Sequence, residues 1–111
     1  MSHNNNEVMV KIYQDITEAW NTLNAELIIK HLSHNFRYDS QWVYDTMGYH
    51  EYCEYLREKF NKIRQSGSNV VAEFGTTDFG PAIRLNQNGN IGFYQIEIED
   101  GKVVKADMCM F

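Results

Sequence analysis

Two Xaa-Gly pairs, Asn88-Gly89 and Asp100-Gly101, divide the last part of this chain and constrain its fold more than any other feature. Asn-Gly or Asp-Gly between alternating segments is the strongest short-range hairpin signal, because both turn positions need a positive φ. The spacing predicts strands over 82–86, 90–99 and 102–111, with a further alternating run from Val70 to Thr76 before them.

Turn length then decides which side chains face inward, since a slip of one residue turns a whole strand over. A two-residue loop at Asn88-Gly89 opposes Leu85 to Gly92 and Ile83 to Tyr94, and points Arg84 outward. A three-residue loop would aim Arg84 inward beside Tyr94, where an unpartnered guanidinium costs several kcal/mol. The two-residue loop is preferred. At the second turn a three-residue loop, Glu99-Asp100-Gly101, opposes Ile96 to Val104, Tyr94 to Ala106 and Gly92 to Met108. It keeps apolar residues together, whereas a two-residue loop sets Ile96 against Lys105. The outward face then carries Ile91, Phe93, Cys109 and Phe111. That face is too apolar for open solvent, and a twofold homodimer through it is the simplest closure.

Upstream the period changes. Val8, Ile12, Ile16, Ala19, Trp20 and Leu23 form one helical stripe over 7–24, and Asn4 with Glu7 resembles a capping box. A short second helix is expected over 25–32, with Asn24 as its cap. The aromatic run 36–43 reads as a strand and 44–48 as a turn. A long helix follows over 49–65, with Tyr49, Tyr52, Cys53, Leu56, Phe60 and Ile63 as its stripe and Gly67 as its stop. His50, Glu51 and Glu54 suit the positive end of that helix. Helices first and strands last imply an α+β fold, with the helices on one face of a largely antiparallel sheet.

With 111 residues the chain is expected to be a single domain, 1–111. A hydrophobic share of 43% and a single proline are globular values. Lys plus Arg is 10 against 15 for Asp plus Glu, a net charge of −5 with no basic run. The nearest approach to one, Lys59, Lys62 and Arg64, falls near a helix C-terminus, where positive charge is expected anyway. Neither nucleic acid nor an anionic membrane is an expected partner. Cys53 and Cys109 form no CxxC, and the Cys/His set lacks zinc spacing, so no metal and no cofactor are expected. His31 and His34 read as solvated. The first residues lack the basic and apolar regions of a signal peptide, and no apolar stretch approaches about 18 residues. A reduced, cytoplasmic protein is the expectation.

The element order resembles the nuclear-transport-factor-2-like superfamily, and SnoaL-like polyketide cyclases and ketosteroid isomerases within it. The residues that carry the likeness are Ala19-Trp20-Asn21, Asn24-Ala25-Glu26-Leu27, His31-Leu32-Ser33, Phe36-Arg37-Tyr38-Asp39-Ser40 and Gly48-Tyr49-His50-Glu51-Tyr52. The resemblance covers nearly the whole chain and rests on packing and capping patterns. It implies a cone: a curved antiparallel sheet wrapped around a long N-terminal helix, a short second helix and a long third one, with a pocket at the open end. Many members are homodimers. They include isomerases, dehydratases, cyclases and non-catalytic modules, so the fold does not settle the function.

The isomerase-like members place a general-base Asp at the end of the first strand, and Asp39 matches that position. Apolar walls would lift the pKa of such a base toward neutrality. Trp20, Tyr52, Leu56, Tyr94 and Met108 could supply those walls, with Trp42 at the mouth. The rest of the isomerase pattern is missing. Its first-helix Tyr corresponds to Asp15, the closest tyrosine, Tyr13, points about 160° away around the helix, and its second oxyanion acid falls near Tyr94. Strand patterning and the resemblance also put Asp39 on opposite faces. Patterning buries Phe36 and Tyr38 and sends Arg37 and Asp39 to solvent, while the resemblance wants Asp39 inside. The expected function is binding of a compact apolar or aromatic molecule, with acid–base chemistry of isomerase, cyclase or dehydratase type if Asp39 faces it. The alternative is a non-catalytic ligand-binding or dimerisation module.

Overall fold

The structure, a computed structural model, describes residues 2–40, 43–78 and 80–110, with the side chains of 7–39, 46–78 and 80–109. Trp42 and Phe111 lie outside the described residues. Helix α1 (Ser2–Thr22) buries Ile12, Tyr13, Ile16, Ala19 and Trp20 along its stripe. It ends where Leu23 turns left-handed at φ 55° and the Asn24 N–H returns to the Ala19 carbonyl at 2.9 Å. Helix α2 (Glu26–Ile29) is a single turn, shorter than expected, because Leu32 already opens strand β1 (Leu32–Ser40) by pairing with Val103. The cap position falls on Ala25 and not on Asn24 as expected, because the helix starts one residue later; Asn24 stands just before it, its side-chain oxygen accepting the Glu26 N–H at 3.2 Å.

The expected turn over 44–48 is instead mostly strand. Strand β2 (Val43–Met47) runs antiparallel to β1 through Tyr38–Met47 and Ser40–Val43. Helix α3 (Tyr49–Ser66) follows, with the Glu51 carboxylate accepting the Gly48 N–H at 3.4 Å and Gly67 closing the helix at φ 74°. The chain then runs through β3 (Val70–Thr77), β4 (Gly80–Gln87), β5 (Asn90–Glu99) and β6 (Lys102–Met110).

The six strands form one open, curved sheet in the order β2-β1-β6-β5-β4-β3. Every pair is antiparallel except β1–β6, which is parallel. The sheet is therefore largely antiparallel, as expected, with one parallel pair that makes it mixed. The final strand returns beside β1 in the same direction, a pairing between distant segments that no local pattern reports. The helices cover one face, with α1 over β3 and α3 over β1. No helix among the described residues is long and apolar enough to cross a membrane.

The hairpins set the inward face. Asn88 and Gly89 take φ 55° and 90°, and the two-residue loop opposes Ile83 to Tyr94 and Leu85 to Gly92, as expected. Arg84 points outward, exposed, across from Glu73 and Phe93.

The second hairpin differs. Asp100 and Gly101 take φ 51° and 75°, forming a two-residue loop that pairs Glu99 with Lys102 and Ile98 with Val103. The register then shifts, and Glu97 meets Lys105, Ile96 meets Ala106 and Tyr94 meets Met108. One extra residue, Val104, sits on β6 at that shift. The bulge restores the phase that the short loop would have inverted. Tyr94, Ala106 and Met108 are buried as expected, although their partners lie two positions from the expected ones.

Candidate functional site

The interior between the helices and the sheet is aromatic. Tyr52 comes from the buried stripe of α3, and Tyr94 from the inward face of β5. Their hydroxyls meet at 2.6 Å with both residues at most 1% exposed. Tyr38 on β1 stacks on Tyr52 with ring centroids 4.5 Å apart, and Phe36 lies at 4.8 Å. Trp20 on α1 meets Tyr94 edge-on at 5.8 Å and Phe60 at 4.7 Å. Such edge and offset contacts suit the quadrupoles of the rings.

Burial pushes both phenols upward. For Tyr52 the negative potential of Tyr94 and Tyr38 adds to burial. For Tyr94 burial outweighs the hydrogen bond from Tyr52, which alone would lower it. Both hydroxyls therefore stay protonated well past the usual tyrosine range. At most one of them can donate outside the pair, and neither can serve as a base near neutral pH. The Trp20 Nε1–H is buried in the same interior and has no hydrogen-bond partner among the described residues. A buried donor left unpaired costs about 1–3 kcal/mol.

Trp20, Tyr52, Leu56, Tyr94 and Met108, expected as walls, are all buried in one core cluster. Trp42, expected at the mouth, lies outside the described residues.

Asp39 is on the other side of the sheet. Phe36 and Tyr38 point to the helices, so the pleat turns Arg37 and Asp39 outward. The Asp39 carboxylate accepts a hydrogen bond from Thr46 Oγ1 at 2.7 Å, and Lys105 Nζ lies 4.0 Å away. Its strand neighbour Asp107 lies 4.0 Å from the same ammonium. Burial raises the Asp107 pKa against the pull of Lys105, and the charges of Asp39 and Glu97 raise it further. The structure thus brings the aromatic residues together and leaves Asp39 across the sheet from them.

The sequence reading passed over a second polar centre. Asp15 on α1 is 4% exposed, a buried charge beside the core. Its carboxylate accepts from Lys11 Nζ at 2.9 Å, lies 3.3 Å from Lys30 Nζ, and meets His31 Nε2 at 2.8 Å. Burial alone would raise its pKa, but the hydrogen bonds from His31, Lys11 and Lys30 prevail and hold it at about 2. His31, read as solvated, is a partner of this acid, and its carbonyl accepts the Val103 N–H at 2.8 Å. The available signal was an acid within the apolar stripe Ile12, Ile16, Ala19.

The fold has clear counterparts among solved structures. A SnoaL-like protein of unknown function from Burkholderia thailandensis superposes with a TM-score of 0.74 at 20% identity, over 95% of this chain and 96% of that one. A candidate polyketide cyclase from Bacillus cereus superposes at 0.67 with 18% identity, over 93% and 74% of the two chains. A de novo designed protein with a curved β-sheet superposes at 0.64 with 17% identity, over 91% and 85%. No protein-family model matches the chain. No curated protein matches it. The chain has the nuclear-transport-factor-2-like fold. At these identities the likeness speaks for the architecture, and a designed protein shares it.

Proposed function

We propose that this chain is a SnoaL-like small-molecule-binding protein whose ligand, compact and apolar or aromatic, opens the packed aromatic interior between α1, α3 and β5 to reach Trp20. The observation that carries this reading is the buried set of polar heads among aromatic rings: the Tyr52–Tyr94 hydroxyl pair beside the unpartnered Trp20 Nε1–H. Pockets for small molecules combine apolar walls with a few donors that orient the ligand. A ligand oxygen reaching Trp20 would satisfy the buried indole.

The reading assigns no proton abstraction to Asp39. A general base must come within hydrogen-bond reach of the proton it takes, and this carboxylate faces away from the aromatic interior. The proposed role is binding. Its cellular setting in this proposal is the cytoplasm, where the thiols of Cys53 and Cys109 stay reduced.

Titration with 2-naphthol and with small cyclic ketones, followed by calorimetry, tests the proposal. A saturable change that disappears in Trp20→Phe and persists in Asp39→Asn is expected. If no compound of either class saturates, the ligand-binding reading is wrong. If Asp39→Asn abolishes binding or turnover, that acid belongs to the site after all.

A second reading concerns the outer sheet face. Ile91 and Phe93 are half-buried and Cys109 is exposed there. We propose that this face joins two copies of the chain, with Asp39, Lys105 and Asp107 at its polar margin.

A further inference from the structure

The α3 residues Arg57, Asn61 and Arg64 recur at helical spacing and line one side of a groove of about 340 Å³. Thr22, Leu23, Asn24, Ala25 and Glu26 form the other side, and Phe60 also lines it. Neither Tyr38 nor Tyr52 lines this groove. It is large enough for a small organic molecule.

Its two guanidinium groups are in different states. Arg57 is neutralised by Glu26, with Nε at 2.8 Å from one carboxylate oxygen and Nη2 at 3.4 Å from the other. Arg64 is held only by neutral acceptors. Its Nη1 donates to Asn61 Oδ1 at 3.1 Å and its Nη2 to the Leu23 carbonyl. Among the described residues no carboxylate lies within ion-pair distance of Arg64.

Those contacts orient the planar fork without cancelling its charge. A guanidinium has five N–H donors, so others stay uncommitted. Asn61 and Asn24 use their side-chain oxygens, the latter for the Glu26 N–H, and keep their amide N–H groups available. Capping the carbonyl at the end of α1 explains why a donor stands at position 64. It does not explain why two further amide donors line the same groove.

We propose that the groove between the α1–α2 turn and α3 binds a small molecule with an oxyanion head, carboxylate or phosphate. Arg64, Asn61 and Asn24 hold the head, and the half-buried Leu23 contacts the apolar body. A fixed guanidinium fork recognises such heads through paired, charge-assisted hydrogen bonds. The groove shares the Phe60 ring with the aromatic interior, but the proposal does not depend on ligand binding there.

The test uses the full ¹⁵N-labelled chain and two probes, benzoate and phenyl phosphate, at an ionic strength held constant with sodium chloride. The side-chain amide resonances of Asn24 and Asn61 should shift saturably, with half-saturation at millimolar concentration or below. The probe that saturates first identifies the preferred head. Arg64→Gln keeps a donor for the Leu23 carbonyl and removes the charge, and should weaken binding about tenfold or more. Asn61→Ala supplies the same test if Arg64→Gln melts early, with severalfold weakening expected. The proposal is overturned if neither probe produces a saturable shift, if sodium chloride alone reproduces it, or if the variant that folds binds as well as the parent chain.

Discussion

The side chain of Asn21 binds both main-chain groups of Ala72. Its Nδ2 donates to the Ala72 carbonyl at 3.0 Å, and its Oδ1 accepts the Ala72 N–H at 2.7 Å. Ala72 lies on β3, an outermost strand of the sheet. A side-chain amide on a helix thus stands where a neighbouring strand would offer its own N–H and C=O. Open sheet edges invite pairing with other chains, and folded proteins block them. Asn21→Ala should lower stability by about 1–2 kcal/mol, read from chemical denaturation. It should also raise the tendency to aggregate, read by light scattering. Unchanged values in both would leave this contact without a role.

The buried phenols form a coupled pair. Tyr94→Phe or Tyr52→Phe leaves one hydroxyl buried without its partner and should each cost about 1–3 kcal/mol, whereas the double variant should cost less than the sum of the two. A double-mutant cycle checks this, and strict additivity would contradict the coupling. Because both pKa values are raised in the folded chain, the stability they support is complete below the tyrosine value of 10.0 and is lost as pH rises beyond it.

Asp15 titrates in the opposite sense. Its folded pKa of about 2 lies below the reference value of 3.8. The acid therefore stabilises the fold above the higher value, and the contribution fades as pH falls through the lower one. Asp15→Asn should cost about 2–3 kcal/mol near neutral pH, the scale set by a shift of this size. The gap between the variant and the parent should close between about pH 4 and pH 2 in acid-dependent melting. A gap that stays constant over this range would assign the loss to packing.

The outer face gives a prediction about assembly. Ile91→Glu places a charge between the half-buried Ile91 position and its neighbour Asn86 across β4–β5. If two copies pack through this face, sedimentation should show a dimer for the parent chain and a monomer for the variant, with little change in melting of the monomer. A parent chain that is monomeric at high micromolar concentration would exclude the interface.

Much of the architecture is readable in local chemistry. Tyr94 could be assigned to the interior because Asn88-Gly89 accepts a tight loop and Arg84 resists burial. Asp39 was not, since the alternation of Phe36 and Tyr38 with Arg37 and Asp39 and the likeness to an isomerase base point to opposite faces, and nothing local chooses between them. Other features left no local mark. The β5–β6 loop was misjudged because Val104 looks like any strand valine, and only the paired strand shows it to be the extra residue. The parallel β1–β6 contact joins Leu32 to Val103, far apart in sequence. Asp15 was missed for the same reason, since His31 and Lys30 reach it from beyond the next helix.

Val104 also bears on how the chain can change length. On the β5 side of β6, the residues before it and those after it alternate in opposite phase, and the switch occurs at this residue alone. Deleting Val104 would give an uninterrupted ladder with β5 in which Val103, Ala106 and Met108 keep their orientations. A deletion farther along β6, at Asp107 for example, would invert the strand beyond it and expose Met108. In evolution, gains and losses within this hairpin should gather at the bulge, where the sheet can absorb one residue without turning its interior outward.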